Sequence, residues 1–191
     1  MASPAADFVA LTTEKRTLNQ YWYSVRTIQV LAAEVEDVLR KGGTVACVST
    51  PSVFFAVRRG ECDRDDDGDH AGHLSGRMFL LDLDDQWAES IGPAWIRFDY
   101  REPLALPAPL AGAFDMCIID PPFVTEDVWR LYGEAARALM KPPSEVGGVG
   151  RSVGDVCVRL DCIALRFNMV CLAIHDISLR LSRTSRPLAS F

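Results

Sequence analysis

The chain lacks several signatures that would settle its class at once. Its first strand-to-helix turn has no G-x-G-x-x-G fingerprint, so that turn alone assigns no cofactor. Its six cysteines form no C-x-x-C pair. Cys47 and Cys117 sit inside apolar runs, where a reduced thiol behaves as a small hydrophobe. No basic stretch followed by an apolar one opens the chain, so no secretory signal is read and a reducing cytoplasmic compartment is expected. Positive charge is also short. The formal net charge is −6 and the pI about 5.1, which disfavours nucleic acid as a partner and suits a basic protein better. Residues 162–174 are nearly continuously apolar, but Arg159, Asp161, Arg166 and Asp176 break the run, so no membrane span is expected.

What remains is an ordinary globular composition, 49% hydrophobic and 24% charged over 191 residues. That length holds one α/β domain with a sizeable core. Residues 1–17 are small and polar with little periodicity, and read as a flexible arm. Leu18-Asn19-Gln20-Tyr21-Trp22-Tyr23-Ser24 follows, and its bundled aromatics suit a lid on the core. Ser24 is a good N-cap. Val25, Ile28, Leu31, Ala32, Val35, Val38 and Leu39 then recur at helical spacing until Gly42-Gly43.

Residues 44–49 read as a buried first strand. Thr50 and Pro51 open the next helix, placing the Ser49 and Ser52 hydroxyls and free N–H groups at the strand's carboxyl edge. The loop over residues 58–76 begins like a calcium loop at Asp63, Asp65, Asp67 and Gly68. Its twelfth position is Leu74 where a bidentate Glu is required, so it reads as a solvated acidic loop. His70 and His73 alone do not make a metal site, and no metal is expected. A second strand over 78–83 ends among Asp82, Asp84 and Asp85, where an acid can bind ribose hydroxyls. A third over 95–100 ends in Asp99 and Tyr100.

The fourth strand, Met116 to Ile119, runs into Asp120-Pro121-Pro122-Phe123. Open α/β sheets bind ligands at such carboxyl ends. The prolines lack N–H groups, end the ladder and fix the backbone, so nearby carbonyls can point into a crevice. An acid, rigid carbonyls and a flat ring suit one task, which is orienting the lone pair of a neutral amine. A plain strand-ending turn with a solvated Asp fits the local pattern equally well. Thr125 caps a last helix whose apolar stripe includes Val128, Trp129, Tyr132, Ala135, Ala136 and Leu139.

Gln20 to Ser24, Ala46 to Val53, Phe98-Asp99-Tyr100 and Asp120-Pro121-Pro122-Phe123 occur in this order. Together they resemble the protein-lysine methyltransferases that act on translation elongation factor 1-alpha, a family earlier described as adenine-specific DNA methyltransferases. The resemblance covers residues 18–140 and implies a Rossmann-like class I α/β fold using S-adenosylmethionine. It implies that Ser49, Thr50, Pro51 and Ser52 replace a glycine-rich first loop. Asp82 or Asp84 would hold the ribose, and Asp99 and Tyr100 would lie near the adenine. Asp120, Pro121, Pro122 and Phe123 would hold the substrate amine. Gln20, Tyr21, Trp22 and Tyr23 would close over the site. An adenine methyltransferase and an inactive fold are the alternatives.

The methyltransferase domain is expected over residues 18–141. Residues 142–191 depart from the family pattern. Residues 151–191 hold six Arg, three Asp and neither Lys nor Glu. Val156, Val158 and Leu160 alternate as a strand would. Two readings of this tail stand: a divergent end that still supplies sheet strands, or a replaced end. The second is favoured, and it would leave one side of the sheet unpaired and apolar surface exposed.

Overall fold

The computed structural model describes residues 3–62, 76–142 and 172–175. Its sheet contains β1 (Val45–Val48), β2 (Met78–Asp82), β3 (Trp95–Arg97), β4 (Met116–Ile119) and β5 (Leu172–His175), in the order β3-β2-β1-β4-β5. The first four are mutually parallel, and β5 runs antiparallel to β4. β1 and β4 are buried along their whole length, as central parallel strands covered on both faces must be. That requirement explains their unbroken apolar sequence.

Among the described residues, five α-helices supply the cover: α1 (Pro4–Leu11), α2 (Val25–Arg40), α3 (Pro51–Cys62), α4 (Gln86–Ile91) and α5 (Glu126–Leu139). Strand side chains alternate between two cores. Val45, Cys47, Leu80 and Ile118 pack with α1 to α4, whereas Ala46, Val48, Leu81, Cys117 and Ile119 pack with α5. α2 starts where expected, with the Ser24 hydroxyl accepting the Thr27 N–H at 3.2 Å. Thr125 accepts the Val128 N–H at 3.4 Å, and Glu126 and Asp127 occupy the first turn of α5, matching the helix dipole.

Three expectations need correction. Within the expected arm, residues 3–17 are not loose. Ser3 caps α1, Pro4 takes its first turn, and Phe8 is only 1% exposed. Phe8 meets Trp22 edge-on with ring centroids 5.1 Å apart and stacks on Phe55 at 5.7 Å. Secondly, β2 and β3 are joined through α4, whose Trp87 and Ile91 enter the core. β3 itself stops at Arg97. Thirdly, the far edge of β4 is not open, because β5 pairs with it from Met116–His175 to Ile119–Leu172. The acidic segment with His70 and His73, and the alternating Val156, Val158 and Leu160, lie outside the described residues.

Candidate active site

The site grows from the end of β4. The Asp120 N–H donates to the Val48 carbonyl at 3.1 Å, so the ladder with β1 runs one residue past the strand and fixes Asp120 at the sheet's carboxyl edge. Pro121, without an N–H, ends it there. Pro121 is buried and Pro122 half-buried, while Phe123 is 47% exposed. Burial pushes the Asp120 carboxyl up to about 7. A hydrogen bond from Tyr23 works against that shift, and the charge of Asp82 adds to it.

The turn after β1 is strained. Ser49 adopts φ +56°, a left-handed conformation that side chains rarely take. Two bonds hold it: its N–H reaches the Leu81 carbonyl at 2.8 Å, and its hydroxyl meets the Tyr132 hydroxyl at 2.7 Å. Thr50 accepts the first bond of α3 from Phe54, and Pro51 and Ser52 form the helix's first turn. At the end of β2, Asp82 is 6% exposed and its Oδ1 accepts the Asp84 N–H at 2.8 Å. Burial lifts the Asp82 carboxyl to about 7; the Asp84 N–H opposes this and the Asp84 charge reinforces it.

These strand ends enclose a cavity of about 640 Å³, a size suited to a small-molecule ligand. Ser49, Pro51, Ser52, Asp82, Tyr100 and Asp120 to Phe123 lie on its wall, together with Gln20, Tyr21 and Trp22. Four of the expected residues do not. Thr50 is a buried helix cap. Tyr23 lies behind the wall, against Asp120. Asp99 turns to Arg101, accepting its N–H at 3.0 Å. Asp84 is 3% exposed and accepts from Lys15 at 2.7 Å, from Gln20 at 3.4 Å and from the side chain of Gln86.

Other wall residues were not foreseen. Phe98 and Tyr132 pack edge-to-face at 5.6 Å, and Tyr100 stacks on Tyr132 at 5.9 Å. Tyr132 reads from sequence as part of an apolar stripe; only the fold shows that its hydroxyl reaches Ser49. Asn19, also at positive φ, donates its side-chain amide to the Pro122 carbonyl. No local pattern announces that bond, which joins residues distant in sequence.

An open, mainly parallel sheet with a cavity at its strands' carboxyl ends, walled by an acid ending β2 and by Asp-Pro-Pro-Phe following β4, defines a Rossmann-like α/β fold with a ligand site at its strand ends. Comparison with known proteins narrows this further. The chain belongs to the family described as "Probable N6-adenine methyltransferase", whose model matches residues 14–174. That match extends well past residue 140 and ends inside β5. EEF1A lysine methyltransferase 1 of Mus musculus is 34% identical over 134 residues, which is 70% of this chain and 57% of the relative. Its Homo sapiens counterpart is 32% identical with the same coverage. Protein-lysine N-methyltransferase EFM5 of Saccharomyces cerevisiae is 28% identical over 133 residues, 69% of this chain and 50% of the relative. The chain thus spans a little over half the length of the first two. No solved structure matches significantly.

Proposed function

We propose that the chain is a protein-lysine N-methyltransferase of the cytoplasm, transferring methyl from S-adenosylmethionine to a lysine of translation elongation factor 1-alpha. The observation that carries this reading is the convergence of Asp82, from the end of β2, and Asp120 to Phe123, from the end of β4, on the wall of one cavity. Family membership supports methyl transfer, and the names of the relatives support lysine. Among the described residues, no helix is long and apolar enough to cross a membrane.

The wall residues fit the cofactor. Asp82 offers a carboxyl for a ribose diol, and Phe98 and Tyr100 offer faces for a purine. Gln20 Oε1 is buried without a partner while its residue lines the cavity, so it awaits a donor. When bound, S-adenosylmethionine supplies an electrophilic methyl group. The chain supplies position. Phe123, half in water at the cavity mouth, packs along the aliphatic stem of the lysine. Desolvation there favours loss of the ammonium proton. Asp120, ionised above about pH 7, accepts a hydrogen bond from the amine, as does the Pro121 carbonyl, and the two aim the lone pair. Catalysis is then mostly orientation in a water-poor site.

Incubating the purified chain with methyl-labelled S-adenosylmethionine and either elongation factor 1-alpha or nucleic acid tests the proposal. Label on a lysine of the factor is expected. Label only on nucleic acid would replace the proposal with the adenine reading that the family description carries.

A further inference from the structure

Residues 12–23 link α1 to α2 and pass across the cavity as a strap, with residues 17–22 on its wall. Both sides of the site hold it. On the β2 side, the Lys15 ammonium reaches Asp84 Oδ1 at 2.7 Å and the Gln20 amide reaches Oδ2 at 3.4 Å. The Asp84 side chain is only 2% exposed and that of Lys15 is 38% exposed, so the contact is shielded from water on the carboxylate side. The Asp84 N–H in turn holds Asp82 Oδ1 at 2.8 Å. On the β4 side, the Asn19 amide donates to the Pro122 carbonyl.

We propose that Lys15, Asn19 and Asp84 are positioning residues: they tie the strap to both strand ends, so that one segment sets Asp82 for the cofactor and, through the Pro122 carbonyl, Phe123 for the amine's stem. The inference rests on the methyltransferase reading above. Lys15 acts through Asp84 on Asp82. Asn19 acts through the Pro122 carbonyl on the Phe123 backbone that follows it. The two ties have different consequences, which separates positioning from simple tethering.

The test uses the full chain, with S-adenosylhomocysteine as binding probe. Three readouts apply: amide hydrogen exchange over residues 12–24, probe affinity, and the kcat and KM of methyl transfer. Lys15→Met is expected to speed exchange in the strap and weaken the probe by about tenfold or more, the worth of a charge-assisted hydrogen bond. Lys15→Arg restores most of that loss. Asn19→Ala is expected to speed exchange as well, yet to lower kcat by about tenfold while probe affinity shifts by less than about threefold. Faster exchange in both variants with probe affinity and kcat unchanged would overturn the proposal, leaving only a structural tether. Unchanged exchange would overturn it too. If the parent chain bound the probe but methylated no protein, the functional reading would fall, while exchange and probe affinity would still decide the role of the strap.

Discussion

Replacing Asp120 by Asn should make the fold more stable and the enzyme far worse, and the stability gain should depend on pH. In the folded chain the Asp120 carboxyl moves from an ordinary 3.8 to about 7, chiefly through burial. A raised carboxyl stabilises the fold fully below its unfolded value, and that contribution is lost as pH rises through the folded value. The relevant window therefore runs from 3.8 to about 7. The displacement is roughly three pKa units, and each is worth about 1.4 kcal/mol, so the ionised group costs at most about 4 kcal/mol at pH 8. Water in the open cavity screens part of this, leaving about 1–3 kcal/mol. Asn keeps the shape and cannot ionise. For a domain of this size that corresponds to a rise in Tm of roughly 2–10 °C at pH 8, shrinking toward pH 5. Thermal melts at the two pH values read the difference directly. Methyl transfer at pH 8 should meanwhile fall by about 100-fold or more if Asp120 accepts the amine's hydrogen bond. An equal stability effect at both pH values, or a loss confined to pH 8, would refute the assignment of Asp120 as a carboxyl held out of water.

Other consequences are simpler to state. Phe8→Ala should cost about 3–5 kcal/mol in denaturant unfolding, because its ring packs between Trp22, Phe55 and Trp87; a cost under about 1 kcal/mol would return the first residues to a loose arm. Tyr132→Phe removes the partner of the Ser49 hydroxyl, so stability should drop by about 0.5–1.5 kcal/mol. Binding of S-adenosylhomocysteine should weaken in the same variant, as calorimetry would show. Thr125→Ala removes the cap of α5 and should cost about 1 kcal/mol with little change in probe affinity.

The strands and long helices were legible because their patterns are local. β1 and β4 declare themselves as apolar runs, and α2 through Ser24, its helical spacing and Gly42-Gly43. α1 is not legible although Ser3 and Pro4 form a start signal, because its eight residues carry little amphipathic contrast. α4 is only six residues long, too short for periodicity to speak. Asp120 to Phe123 stood out at a strand end, but sequence could not separate Asp82 from Asp84. Their distinction is tertiary: Asp84 is occupied by Lys15, Gln20 and Gln86, which leaves Asp82 on the cavity wall. The pairing of β5 with β4 is likewise a long-range event, invisible in a run of apolar residues. The Asn19 bond to the Pro122 carbonyl joins residues whose sequence neighbourhoods share nothing.

Methylation of a protein lysine at this cavity would be read by mass spectrometry of elongation factor 1-alpha. The factor would be incubated with the chain and S-adenosylmethionine, digested, and its lysine peptides compared with a reaction containing Asp120→Asn. A methyl addition on one lysine, absent with the variant, is the predicted result. An unmodified factor beside a chain that binds S-adenosylhomocysteine would remove the factor as its substrate.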